Sequence, residues 1–187
     1  MSEKFRSRIM EEPDVLRALA RIAHEIIERN GQERELCLIG VERRGVPLAE
    51  LIAANIEKFS EIRVLRGAVD ITYYRDDLTP AGADPQILPG NPGCPIEGKT
   101  VVLVDDVIYT GRTARAALDA ILPWGRPARI QLAVLIDRGH RELPIRGDYI
   151  GKNVPTAKSE LVKVHIPPYD DVINVELYEK LKIGGRK

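Results

Sequence analysis

Three stretches of the chain are apolar throughout: LCLIGV (36–41), TVVLV (100–104, running on into Asp105 and Asp106) and IQLAVLI (130–136, running on into Asp137). A strand with one wet face alternates polar and apolar residues. A strand without alternation is buried on both faces, as in a parallel sheet covered by helices. Helical periods separate these runs. Over residues 13–30, Val15, Leu16, Leu19, Ile22, Ala23, Ile26 and Ile27 fall on one face, with Pro13 in the first turn and Asn30-Gly31 at the stop. Further helices are predicted at 46–59 and 112–124, and further strands at 61–65, 68–74, 161–166 and 175–178. Strands alternating with helices predict an α/β domain with a mostly parallel central sheet. Its ligands are expected at the carboxyl ends of the strands, near a switch in strand order. The 187 residues suit one domain.

Composition narrows the function classes. The 28 Lys and Arg balance 28 Asp and Glu, which excludes a uniformly basic nucleic-acid coat and a highly charged disordered tail. The charged N-terminal residues show no apolar segment of a signal peptide, and no run of about 18 apolar residues is present to span a membrane. Two cysteines, Cys37 and Cys94, are too few for a disulfide scaffold, so reduced thiols and a cytoplasmic setting are expected. Residues 76–98 hold nine prolines and glycines, and a loop this long predicts a flap over a site. The tail 182–187 is expected to fray.

The segment VVLVDDVIYTGRT (101–113) carries the most chemistry. A buried strand ends in two carboxylates, Asp105 and Asp106. A turn then opens a helix. Backbone N–H groups at a helix N-terminus, with the hydroxyls of Thr110 and Thr113, bind a phosphate, and Gly111 lets the backbone approach it. Adjacent carboxylates accept hydrogen bonds from vicinal sugar hydroxyls and stabilise developing positive charge. The combination predicts a ribose-5-phosphate site. The chain lacks the G-x-x-x-x-G-K-[ST] loop of nucleotide triphosphatases and a G-x-G-x-x-G after a strand. A glycosidase would need its carboxylates facing each other across a bond.

This segment resembles the signature of the type I phosphoribosyltransferases, which bind phosphoribosyl pyrophosphate (PRPP). With LIGVERRGVPLA, VDITYYRDDL and LIDRGHRELPIRGDYIGKNVPT, the resemblance over residues 16–159 is to the PyrR family of pyrimidine-operon regulators with uracil phosphoribosyltransferase activity. It implies the type I fold with a small hood and a flexible flap. It also implies Mg2+ with PRPP, transfer to uracil to give UMP, and a homodimer or homotetramer. By the same resemblance Asp105 and Asp106 hold the ribose hydroxyls and reach the metal through water. Val107, Ile108, Tyr109, Thr110, Gly111, Arg112 and Thr113 wrap the 5′-phosphate. Arg43, Arg44 and Gly45 form the pyrophosphate loop, and Arg75 acts from the flexible loop at 70–78. Asp137, Arg138, Tyr149, Ile150 and Val154 are expected around the base.

A second function rests on charge. Residues 126–152 carry six basic against three acidic side chains, and Arg17, Arg21 and His24 line the polar face of the first helix. Basic elements outside the phosphate site are an electrostatic footprint for RNA. The resemblance assigns Arg17, Arg21, His24, His140, Arg141, Arg146 and Lys152 to the leader of pyr operon mRNA, with binding tightened by UMP. The competing reading is a salvage phosphoribosyltransferase, for uracil or another base, with no RNA role.

Overall fold

The computed structural model describes residues 3–71 and 92–181. Five strands form a parallel sheet in the order β3-β2-β4-β5-β6: β2 (Glu35–Val41), β3 (Arg63–Val69), β4 (Thr100–Ile108), β5 (Arg129–Asp137) and β6 (Tyr149–Asn153). Helix α1 (Glu12–Arg29) and helix α2 (Gly45–Phe59) cover one face, and α3 (Arg112–Ile121) covers the other, continued by a 3-10 turn at Leu122–Trp124. The unalternating strands are explained by this layering. Leu36, Leu38, Val102 and Val104 enter the core under α1 and α2, while Cys37, Ile39, Val101 and Leu103 enter the core under α3. Each fully buried Leu or Ile contributes about 1.5–3 kcal/mol.

Helix α1 begins where the sequence signals it. Glu11 and Asp14 form a reciprocal capping box, Pro13 sits in the first turn, and Val15, Leu19, Ile22, Ala23 and Ile26 are buried. Where strands were expected at 61–65 and 68–74, β3 pairs with β2 from Arg63 to Val69 without a break; residues 72–74 lie outside the described residues.

A second sheet, antiparallel and three-stranded, has the order β1-β8-β7, with β1 (Glu3–Met10), β7 (Glu160–His165) and β8 (Asn174–Lys180). It is the hood. Strands β7 and β8 bury Val162, Val164 and Val175 beside Met10. Strand β1 had no sequence signal, because residues 3–8 are all exposed. Its ladder to β8, the Arg8–Glu176 ion pair and the Phe5–Tyr178 edge contact hold it. Strand β6, hidden in a turn-rich stretch, also escaped the periodicity. Against the expectation of reduced thiols, Cys37 on β2 and Cys94 are joined by a disulfide. The chain after residue 91 runs beside β3, where the Ala68 amide donates to the Pro92 carbonyl at 3.0 Å, and this brings Cys94 near β2. No helix among the described residues is long and apolar enough to cross a membrane.

Candidate active site

Two loops meet where β2 and β4 end side by side. The first, Glu42 to Arg44, joins β2 to α2, and its Glu42–Arg43 peptide is cis. Gly45 opens α2 against the end of β4. A Cβ there would stand 2.3 Å from the Val104 carbonyl oxygen, so only glycine permits this approach. The second loop follows Asp105 and Asp106 into α3. Gly111 caps α3 with φ +93°, a left-handed conformation that favours glycine, and no side chain caps the helix.

A cleft of about 530 Å³ lies between them, lined by Arg43, Arg44, Asp70, Asp105, Asp106 and Thr113 among others. A second hollow of about 280 Å³ continues along the phosphate-loop residues 107–113 to Leu132 and Val134. Asp105, Val107 and Thr113 line both. Each carboxylate braces the backbone after it: Asp105 Oδ1 accepts from the Asp106 amide at 2.9 Å, and Asp106 Oδ1 from the Val107 amide at 2.8 Å. Burial pushes the Asp106 carboxyl above the usual carboxylate range, against the lowering effects of the Val107 amide, Asp105 and Arg44.

Arg44 is held from the hood. Its Nε and Nη2 donate to the Asp170 carboxylate at 3.0–3.2 Å. Burial would raise the Asp170 pKa. Hydrogen bonds from His165, the Ile166 amide and Arg44 outweigh burial and hold it below the usual range. Asp170 was not visible to the sequence reading; it sits in a turn 126 residues away from its partner.

The residues expected around the base are divided between the core and a separate hollow. Tyr149 is 2% exposed in the core under α1, its hydroxyl donating to Gln131 and accepting from Asn30, because β6 turns this residue away from the cleft. Ile150 packs into the core under α3, and the Val154 amide is bonded to the Asp137 carbonyl. Arg138 is 4% exposed, lies over the Tyr109 ring and donates to Thr156 and to the Ala157 and Glu160 carbonyls. Its Nε and Nη2 staple the chain after β6, and the residue lines the hollow beside Asp137. Asp137 accepts from the Gly139 amide and pairs with Arg141. A hollow of about 310 Å³ lies here, lined by Asp137, Gly139, His140, Asn153 and Thr156. Arg75 lies outside the described residues.

Of the basic residues, Arg141 is bound on all sides, donating to the Tyr109, Gly139 and Ile145 carbonyls. It braces the loop after β4 at Tyr109, and its donors are turned inward rather than onto an open surface. His140 bonds the Thr156 carbonyl, and the His24 ring lies 4.6 Å from that of Phe59. Arg21 on α1 donates to the Ile150 and Gly151 carbonyls of β6, the strand that also carries exposed Lys152. Arg17 and Arg21 are paired with Asp14 and Glu25, and Arg146 lies in the loop before β6.

Comparison with known proteins agrees with this architecture. The phosphoribosyl transferase domain model matches residues 6–170. The chain is 59% identical to the Bifunctional protein PyrR of Chloroflexus aurantiacus, over 90% of this chain and 92% of that one. It is 54% identical to that of Thermus thermophilus (95% and 98%) and 52% identical to that of Clostridium novyi (95% and 99%). Among solved structures it superposes on a Trypanosoma cruzi hypoxanthine phosphoribosyl transferase with a TM-score of 0.73 at 21% identity, over 95% and 93% of the two chains. A Bacillus anthracis hypoxanthine-guanine phosphoribosyltransferase gives 0.67 at 16% identity, over 95% and 99%. The expected type I fold is therefore the fold observed, and the chain belongs to the phosphoribosyltransferases and, within them, to the PyrR family.

Proposed function

We propose that this protein transfers the phosphoribosyl group of PRPP to uracil, giving UMP and diphosphate, and that the same chain binds the leader of pyr mRNA under the control of UMP. One observation carries the first half. The Asp105–Asp106 pair stands between an arginine loop and an uncapped helix N-terminus, within adjoining hollows. A ribose placed over the carboxylates has its 5′-phosphate at residues 110–113 and its leaving diphosphate at Arg43 and Arg44.

The chain's own groups then divide the work. Amides at the start of α3 and the Thr110 and Thr113 hydroxyls bind the 5′-phosphate. Guanidinium groups of Arg43 and Arg44 bind the diphosphate oxygens. The carboxylates accept the ribose hydroxyls and face the positive charge that grows at the anomeric carbon as the diphosphate departs. Uracil approaches from the hollow beside Asp137, Gly139 and His140. No residue is assigned as base for N1. The donor set suits Mg2+. Carboxylate oxygens line a roomy cleft, and no cluster of three or more His, Cys, Asp or Glu side chains among the described residues forms a closed cage. An ion held at Asp105 and Asp106 would complete its shell from substrate oxygens and water. Mg2+ bound there would supply positive charge beside the leaving diphosphate.

The second half is supported by the exposed cations Arg17 and Arg21 on α1, and Arg146 and Lys152 before and within β6. Its link to the nucleotide is short. Arg141 donates to the Tyr109 carbonyl, and the Glu142 and Leu143 amides donate to the Thr110 carbonyl. A nucleotide that orders the phosphate loop orders the chain leading to Arg146, and RNA must strengthen nucleotide binding by the same factor. UMP formation from PRPP with uracil, against hypoxanthine and guanine as competitors, tests the enzymatic half. Equal use of the purines would return the chain to general salvage.

A further inference from the structure

The cleft contains an arginine whose orientation is set by a different sheet. Arg44 presents its Nε and Nη2 edge to Asp170, and its Nη1 donates to none of the described residues. Asp170 is itself fixed. His165 Nδ1 stands 3.0 Å from Asp170 Oδ1, and the Ile166 amide donates to Oδ2 at 3.1 Å. His165 Nε2 has no hydrogen-bond partner and lies 3.5 Å from Glu176 Oε2. Glu176 is occupied by Arg8 and by the Tyr178 hydroxyl. A proton on Nδ1 lets the His165 ring donate to Asp170 and fixes the carboxylate's orientation.

We propose that Asp170, oriented by His165, is the positioning residue for Arg44 in diphosphate recognition. The inference rests on the phosphoribosyltransferase reading of the cleft. A bidentate carboxylate fixes the plane of a guanidinium. Fixing one edge leaves the other N–H groups directed by the same plane, so Arg44 meets the diphosphate already ordered and loses less freedom on binding. The hood sheet thereby takes part in substrate binding without touching substrate.

The test uses the full chain with Mg2+ and inorganic diphosphate as probe, followed by calorimetry, alongside PRPP and uracil kinetics and thermal unfolding. Asp170→Asn keeps the shape and removes the charge. It should weaken diphosphate binding and raise the KM for PRPP by about tenfold, with the KM for uracil and kcat changing by about twofold or less. His165→Leu should have a smaller effect in the same direction. His165→Asn, which keeps a donor near the Nδ1 position, should restore binding close to wild type. Wild-type binding of diphosphate with an indifferent Asp170→Asn would overturn the inference alone. So would a variant that loses thermal stability while both KM values rise together, since that marks a staple of the turn. A wild-type chain that binds no diphosphate would overturn the reading of the cleft and this inference with it.

Discussion

Replacing Gly45 by alanine places one methyl group against the backbone of β4. The new Cβ would lie 2.3 Å from the Val104 carbonyl oxygen and 3.3 Å from its carbon. Ordinary contact needs a retreat of about 1 Å, and a packed interior does not yield that freely. The obstacle is the backbone of a central strand, so the α2 end must move. Overpacking of this kind costs about 1–3 kcal/mol. For a chain of this size each kcal/mol shifts Tm by about 2–4 °C, so a drop of about 2–12 °C is expected. The moving end carries Arg43 and Arg44, whose distance to Asp105 and Asp106 sets the cleft. A misplacement of about 1 Å can cost on the order of 100-fold in activity. Differential scanning calorimetry and diphosphate titration measure the two effects. Gly111→Ala is the contrast. Its Cβ has ordinary room, 3.4 Å from Leu143 Cβ, but its φ of +93° is strained for alanine by about 1–2 kcal/mol, and that strain falls on the phosphate loop. A Gly45→Ala protein with wild-type Tm and wild-type diphosphate affinity would refute the claim that this close approach builds the site.

Two further predictions follow from burial. Asp106→Asn should abolish transfer yet raise the Tm of the ligand-free protein at pH 7. The folded chain holds the Asp106 proton more tightly than the unfolded one, so its contribution to stability falls as pH rises from the usual carboxylate pKa through the raised value. The gain from Asn should therefore shrink as pH is lowered towards that usual value, and a variant less stable at pH 7 would contradict the desolvation account. Tyr149→Phe should destabilise the fold by about 1–3 kcal/mol in chemical denaturation, because Gln131 and Asn30 lose a buried partner, while leaving the KM for uracil unchanged. A raised uracil KM at constant stability would return Tyr149 to the base site.

The features legible in the sequence are those encoded by contiguous residues. The doubly buried strands declare themselves by lacking alternation, and the residues from Asp105 to Thr113 that line the two hollows are one unbroken run. The amphipathic pattern of α1 names its buried face except at Leu16, which is exposed. Features made by distant pairs were hidden. Nothing local marks Asp170 as the partner of Arg44, Cys94 as the partner of Cys37, or Arg21 as the clamp on β6. Position after a strand end also misled, since it does not tell which face of β6 Tyr149 takes, nor that Arg138 and Arg141 spend their donors on backbone carbonyls. Strand β1 is held by its ladder and by ion pairs, with a buried side chain only at its last residue, Met10, so no hydrophobic period reveals it.

The claim that one chain is both enzyme and regulator is tested most directly by titrating it with the leader RNA of a pyr operon, with and without UMP, at two salt concentrations. The account predicts tight binding strengthened by UMP, with a salt slope of about 0.7 for each phosphate contact. Arg146→Glu with Lys152→Glu should reduce both affinity and slope while leaving UMP synthesis intact. Binding no tighter than to an unrelated RNA, or indifferent to UMP, would contradict it and leave a uracil phosphoribosyltransferase whose basic face is ordinary solvated surface.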